Sequence, residues 1–90
     1  MTSFYSIRLL KSASKELGKL DKQTAQRIVK RLHWLSLNVH STKVFPLKGY
    51  LTGLYKLREG SYRIIFEILE NEMTIIIHSI GHRKDIYKQK

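Results

Sequence analysis

One stretch constrains the fold of this chain more than any other. Leu54-Tyr55-Lys56-Leu57-Arg58 runs into Glu59-Gly60-Ser61 and then into Tyr62-Arg63-Ile64-Ile65-Phe66-Glu67-Ile68. Two runs rich in apolar, aromatic and β-branched residues on either side of a short polar turn read as a β-hairpin. Side chains alternate along a strand, so Lys56 and Arg58 share one face while Tyr55 and Leu57 share the other. In the second run Tyr62, Ile64, Phe66 and Ile68 fall together, with Arg63 and Glu67 opposite. Paired, the strands make a sheet with one apolar face and one strongly basic face. A basic sheet face in a small domain suits a polyanion, nucleic acid first among them.

The rest of the chain supplies what that hairpin needs to bury its apolar side. Ninety residues allow one domain, residues 1–90. Phe4 to Leu9 reads as a first strand. Ser12 or Ser14 is placed to cap a short helix reaching Leu20, and Asp21 to cap a second, longer one. Ala25, Ile28, Val29, Leu32 and Leu35 recur at helical spacing and mark a buried stripe, with Arg27, Lys30 and Arg31 off it. Asn38 to Pro46 reads as a connection, and the glycines of Leu47 to Gly53 suit turns. Glu70-Asn71-Glu72 is a polar turn before a last strand, Met73 to Ile80, which Gly81 ends. Arg83 to Tyr87 suits a terminal helical turn. The order β-α-α-β-β-β, with short turns between the last strands, predicts an α+β fold: a curved antiparallel sheet with two helices packed on its apolar face.

Charge narrows the function. Seventeen Lys and Arg against seven Asp and Glu give a net charge of +10. The basic residues are spread along the whole chain, so this is not a basic tail on a neutral body. Nucleic acid, the ribosome or an acidic protein is the expected partner. The chain has no cysteine, which excludes disulfides, zinc-thiolate sites and thiol nucleophiles. No apolar run approaches the roughly 18 residues that span a bilayer, and the N-terminus lacks a signal-peptide pattern. The expectation is a cytoplasmic protein without a membrane partner. His78 and His82 are four apart but in a strand-to-turn segment rather than a helix, so no metal or cofactor is expected.

The candidate chemistry gathers at one end of the sheet. The last strand delivers Ile80-Gly81-His82-Arg83-Lys84-Asp85-Ile86-Tyr87 near Lys56, Arg58 and Arg63. These groups suit an RNA phosphodiester, cleaved by attack of the ribose 2′-OH on the adjacent phosphate. Such a site must align the groups, stabilise extra negative charge and move protons. Arginine forks bind phosphate oxygens. Lys56, among like charges, is a candidate base; His82 can move protons near neutrality; Tyr87 can orient the substrate or stack on a base. Plainer roles stand beside these. Lys56 and Arg58 would also suit a solvated strand face, Arg63 a pair with Glu67, Tyr87 the packing of the C-terminal turn, and His82 an ordinary loop. Trp34, flanked by Arg27, Lys30 and Arg31, is either an exposed contact for a partner or folded onto Val44 and Phe45.

Taken together, Leu47-Lys48-Gly49, Tyr55 to Arg63 and Ile80 to Tyr87 resemble the RelE/ParE superfamily of bacterial toxin–antitoxin toxins, over nearly the whole chain and in the same order. Within it the sequence is similar to the RelE branch, whose members enter the ribosomal decoding site and cut mRNA. The resemblance implies catalytic roles for Lys56 in proton transfer, Arg63 at the phosphate, Arg83 at the leaving group and Tyr87 in orienting the substrate. Arg58, His82, Lys84 and Lys48 would assist in substrate binding. It also implies the ribosome and mRNA as targets, and an antitoxin that covers the basic surface. One departure stands out: the best-known members carry a second lysine two residues before the one matching Lys56, and here that position is Leu54. The alternatives are a ParE-like inhibitor of DNA gyrase and a nucleic-acid-binding module without catalysis.

Overall fold

The computed structural model describes residues 4–40, 45–47 and 53–82. Strand β1 (Ser6–Leu9) leads into helix α1 (Lys11–Gly18) and helix α2 (Lys22–Asn38). Strands β2 (Phe45–Pro46), β3 (Tyr55–Glu59) and β4 (Tyr62–Leu69) follow, then a 3-10 turn (Glu70–Glu72) and strand β5 (Thr74–His82). The class is α+β, as the sequence predicts.

The hairpin forms because its turn and its alternation agree. Gly60 takes a φ of +60°, a left-handed conformation that glycine adopts without strain. The register pairs Glu59 with Tyr62, Leu57 with Ile64 and Tyr55 with Phe66. Leu57, Ile64 and Phe66 are buried on the face that meets the helices. The Tyr55 and Phe66 rings stack there, their centroids 5.8 Å apart.

Helix α2 starts where its cap predicts. The Asp21 carboxylate accepts the Thr24 N–H at 3.1 Å and the Thr24 hydroxyl at 2.6 Å. Those two bonds hold the Asp21 carboxyl below its ordinary pKa. Ile28, Leu32 and Leu35 are buried along one seam, which Val39 extends. Val29 departs from the expected stripe and is 51% exposed. It sits about 100° around the axis from Ile28, past the edge of the buried seam.

Helix α1 corrects another expectation. It begins at Lys11, with Leu10 at the cap position and no side-chain cap. Ser12 instead donates its hydroxyl to the His78 carbonyl at 3.0 Å. Glu16 accepts the Ile80 N–H at 2.8 Å. Strand β1 runs out at Leu9, and beyond it these two side chains satisfy backbone groups along the open edge of β5.

The sheet order is β1-β5-β4-β3-β2. Strands β2 to β5 pair antiparallel, as expected, but β1 lies parallel to β5 with Ser6 opposite Thr74 and Leu9 opposite Ile77. The sheet is therefore mixed. The antiparallel rule covers strands joined by short turns, whereas β1 is separated from β5 by two helices and three strands, which permits parallel pairing. Phe45–Pro46, inside the expected connection, makes a two-residue edge strand against β3. Strand β5 runs on to His82, so Gly81 sits within it rather than ending it. The core between sheet and helices contains Phe66, Ile28, Leu35, Ile64, Ile75, Ile77 and Ile80, all fully buried. Each such side chain contributes about 1.5–3 kcal/mol.

One irregularity reorders the last strand. Ile65 pairs with Ser79 and Phe66 with Ile77, which leaves His78 as an extra residue, a β-bulge. Ile75 and Ile77 face the helices. Strict alternation would then send Ser79 and Gly81 inward and His82 outward. The bulge reverses that, so Ile80 and His82 face the helix side and Gly81 the open side.

Candidate functional site

The face of the sheet away from the helices carries the basic residues the hairpin predicts. Arg58 lies directly opposite Arg63, and Lys56 opposite Ile65. On its other side Arg63 faces Gly81. Arg63 is only 8% exposed. Its Nη1 donates to the Tyr62 carbonyl at 3.2 Å and, at 3.4 Å, to that of Gly60. Its Nε is buried without a hydrogen-bond partner. Among the described residues no carboxylate pairs with it. Like charges directly opposite on a sheet repel, and a buried unsatisfied polar atom costs about 1–3 kcal/mol. An anion seated between Arg58 and Arg63 would relieve both.

The carboxylate of the same turn is spent elsewhere. Glu59 shares the helix-side face with Tyr62 and lies 3.6 Å from Arg27 Nε and 3.8 Å from Arg31 Nε. Arg31 Nε also reaches the Arg58 carbonyl at 3.3 Å. The Arg31 guanidinium lies 4.3 Å over the Trp34 ring, and Trp34 stays exposed. Helix α2 thereby holds the hairpin turn from behind and neutralises its acid, leaving Arg58 and Arg63 in front without a carboxylate partner among the described residues. A Cβ at Gly60 would meet Arg27 Nη2 at 3.1 Å, a contact the half-exposed Arg27 side chain can relieve, so the positive φ is what calls for glycine there.

Not every expected residue gathers on this face. His82 lies on the helix side, its ring edge-on to Tyr62 with centroids 5.7 Å apart. The bulge puts it there. Arg83, Lys84, Tyr87 and Lys48, and the terminal turn, lie outside the described residues. The pairing of Arg63 with Glu67 is absent, because Glu67 lies 2.9 Å from His78 Nε2 instead. That Glu67–His78 pair was missed, because the unbroken Ile75-Ile76-Ile77 run leaves the face of His78 undecided until β4 and β5 are aligned. Also missed was a cluster at the far corner, which only long-range folding assembles. There the Tyr5 hydroxyl donates to Glu70 at 2.5 Å and lies 2.7 Å from His40 Nε2. The bond to Glu70, then burial, then the Glu70 charge raise the Tyr5 phenol above its ordinary pKa. Among the described residues no group of three or more His, Cys, Asp or Glu could hold a metal ion, and no helix is long and apolar enough to cross a membrane.

A two-helix layer on a mixed sheet, with Arg58 and Arg63 side by side on the face away from the helices, defines a small α+β domain with a basic sheet face. Residues 7–87 match the family model of the ParE toxin of the type II toxin–antitoxin system parDE. The toxin RelG of Mycobacterium tuberculosis is 29% identical over 86 residues, covering 94% of this chain and 98% of that protein. The toxin–antitoxin complex RelBE2 of the same organism contains a chain that superposes with a TM-score of 0.83 at 27% identity, covering 94% of this chain and 98% of that one. The archaeal RelE–RelB complex of Pyrococcus horikoshii gives a TM-score of 0.73 at 27% identity, covering 94% and 99%. The chain belongs to the RelE/ParE superfamily of toxins of type II toxin–antitoxin systems.

Proposed function

We propose that this toxin is a ribosome-dependent endoribonuclease that cuts mRNA in the decoding site and so stops translation. One observation supports this reading most: Arg63 is buried on the open face, opposed by Arg58, with no carboxylate partner among the described residues. An arginine held this way by backbone carbonyls is organised before substrate arrives, which is what stabilising charge on a reacting phosphate requires. In this reading Arg63 and Arg83 stabilise the phosphate and the leaving group, Lys56 serves the proton transfers or the phosphate, and Tyr87 orients the substrate. Arg58, Lys84, Lys48 and His82 contribute to binding. An antitoxin partner follows from relatives that are toxin–antitoxin complexes and from the charge of +10 that such a partner would offset. The place of action is the cytoplasm, where ribosomes and mRNA are.

The test is mRNA cleavage in a purified translation reaction, with and without ribosomes, comparing wild type with Arg63→Ala, Arg83→Ala and Tyr87→Phe. Cuts within the ribosome-bound codon that vanish in the variants support the nuclease. Intact mRNA with wild-type protein ends that reading. A second reading, inhibition of DNA gyrase, is favoured by the ParE description of the matching family. DNA breakage and an SOS response without mRNA cutting would select it.

A further inference from the structure

Cleavage through the 2′-OH needs a group that takes a proton near neutral pH, and imidazole is the side chain best suited to that. The chain has four histidines. His33 is on α2, His40 is bonded to Tyr5 at the far corner, and His82 lies against Tyr62 on the helix side. His78 alone is on the open face, at the bulge between β4 and β5. Bulges re-aim side chains and occur beside active sites more often than elsewhere.

Its surroundings suit a base. His78 Nε2 lies 2.9 Å from Glu67 Oε1, and the two side chains are 30% and 36% exposed, so the pair is organised yet open to a ligand. With the ring hydrogen on Nε2 donated to the carboxylate, Nδ1 carries the free lone pair. Lys56 pairs with Ile65, two residues before Glu67 on the same face. That makes Lys56 the diagonal neighbour of the pair, within reach of a long side chain. The other groups around His78 are Arg8 on β1, exposed and opposite Ile76, and Ser12 and Glu16 of α1, which hold the backbone of His78 and Ile80.

We propose that His78, oriented by Glu67, is the catalytic base of this toxin; the inference rests on the nuclease reading above. His78 Nδ1 takes the proton of the ribose 2′-OH as the oxygen's electron pair forms the O2′–P bond. The P–O5′ bond breaks, its electron pair leaves on the 5′ oxygen, and that oxygen takes a proton from water. The products are a 2′,3′-cyclic phosphate and a 5′-hydroxyl, and the imidazolium returns its proton to solvent. Lys56 faces the phosphate that gains charge.

The experiment is single-turnover cleavage on programmed ribosomes from about pH 5 to 8, comparing wild type, His78→Gln and Glu67→Gln, with ribosome binding and Tm measured for each. The expected result is a loss of about 10²–10⁴-fold in rate for His78→Gln, binding within about twofold of wild type, and a flattened pH dependence. Glu67→Gln should lose less and shift the pH profile rather than flatten it. Wild-type rate and pH profile in His78→Gln, with Arg63→Ala inactive, would overturn the base while leaving the nuclease standing. Should His78→Gln fail to fold, an unchanged rate and profile in Glu67→Gln would overturn it equally. A wild-type protein that cuts nothing would remove the nuclease reading itself, and this one with it.

Discussion

Two pairs of arginines flank the same hairpin turn and are treated in opposite ways. Arg27 and Arg31, behind it on α2, share the Glu59 carboxylate, and Arg31 also covers Trp34. Arg58 and Arg63, in front, face each other with no described carboxylate between them. The rear pair ties a helix to a turn. The front pair sets like charges side by side, unmatched among the described residues, and leaves the Arg63 Nε buried without a partner, at some cost to the fold. Within one turn the protein separates charge used for holding from charge kept for a ligand.

Breaking the front pair should have the largest effect on activity. Under the nuclease reading, Arg63→Ala loses about 10²–10³-fold in mRNA cleavage rate. Its Tm should stay within a few degrees of wild type or rise, because a buried unsatisfied group is removed. A collapse of Tm with proportionate loss of activity would make Arg63 structural and erase the contrast. Breaking the rear pair should do the reverse. Glu59→Gln removes two partly exposed ion pairs worth about 0.2–1 kcal/mol each, so thermal unfolding should show a drop of a few degrees while cleavage stays near wild type. Strong loss of cleavage at unchanged Tm would show that Glu59 serves the front face.

Two smaller tests sharpen what a matched group does for the fold. The Tyr5 phenol is raised above its ordinary value by Glu70. Its contribution is therefore full below about pH 10 and lost as pH climbs through the raised value. Tyr5→Phe should flatten the alkaline limb of a stability–pH curve, and an unchanged limb would contradict the role given to Glu70. Asp21 is lowered by its bonds to Thr24. Its contribution is present above about pH 4 and fades as pH falls through the lowered value. Asp21→Ala should reduce the slope of the acid limb, the smallest effect of the series; denaturant titrations from pH 5 to about pH 2 would measure it.

What was legible in the sequence is what local rules decide. Alternation and a glycine turn set the hairpin register and place Lys56, Arg58 and Arg63 on one face, where the structure has them. Asp21 caps α2 because a carboxylate two to three residues before free N–H groups has little else to do there. Ser12 illustrates the opposite case: its partner, His78, is 66 residues away, and no local rule foresees it. The same holds for the parallel pairing of β1. The bulge escaped for a different reason. Ile75-Ile76-Ile77 is apolar without a break, so the run carries no period to show which residue turns outward, and His78 and His82 could not be assigned to faces. Of the expected site, Lys56, Arg58 and Arg63 gather on the open face, and the Glu67–His78 pair beside them becomes visible only once β4 and β5 are aligned.

The parallel seat of β1 beside β5 also dictates an order of events. Among the described residues the first strand is hydrogen-bonded to the last, with Leu10 N–H reaching the Ile77 carbonyl. A nascent chain cannot close this sheet until β5 has left the exit tunnel, and contacts so distant in sequence form late and slowly. Gly81, the neighbour of Arg63 across the sheet, arrives with that same strand. Pulse-labelled hydrogen exchange during refolding should find the β1 amides protected after those of the β3–β4 hairpin. The β1–β5 seam is thus the part of the sheet that waits longest, since each residue in it pairs with one far along the chain, Ser6 with Thr74 and Leu9 with Ile77.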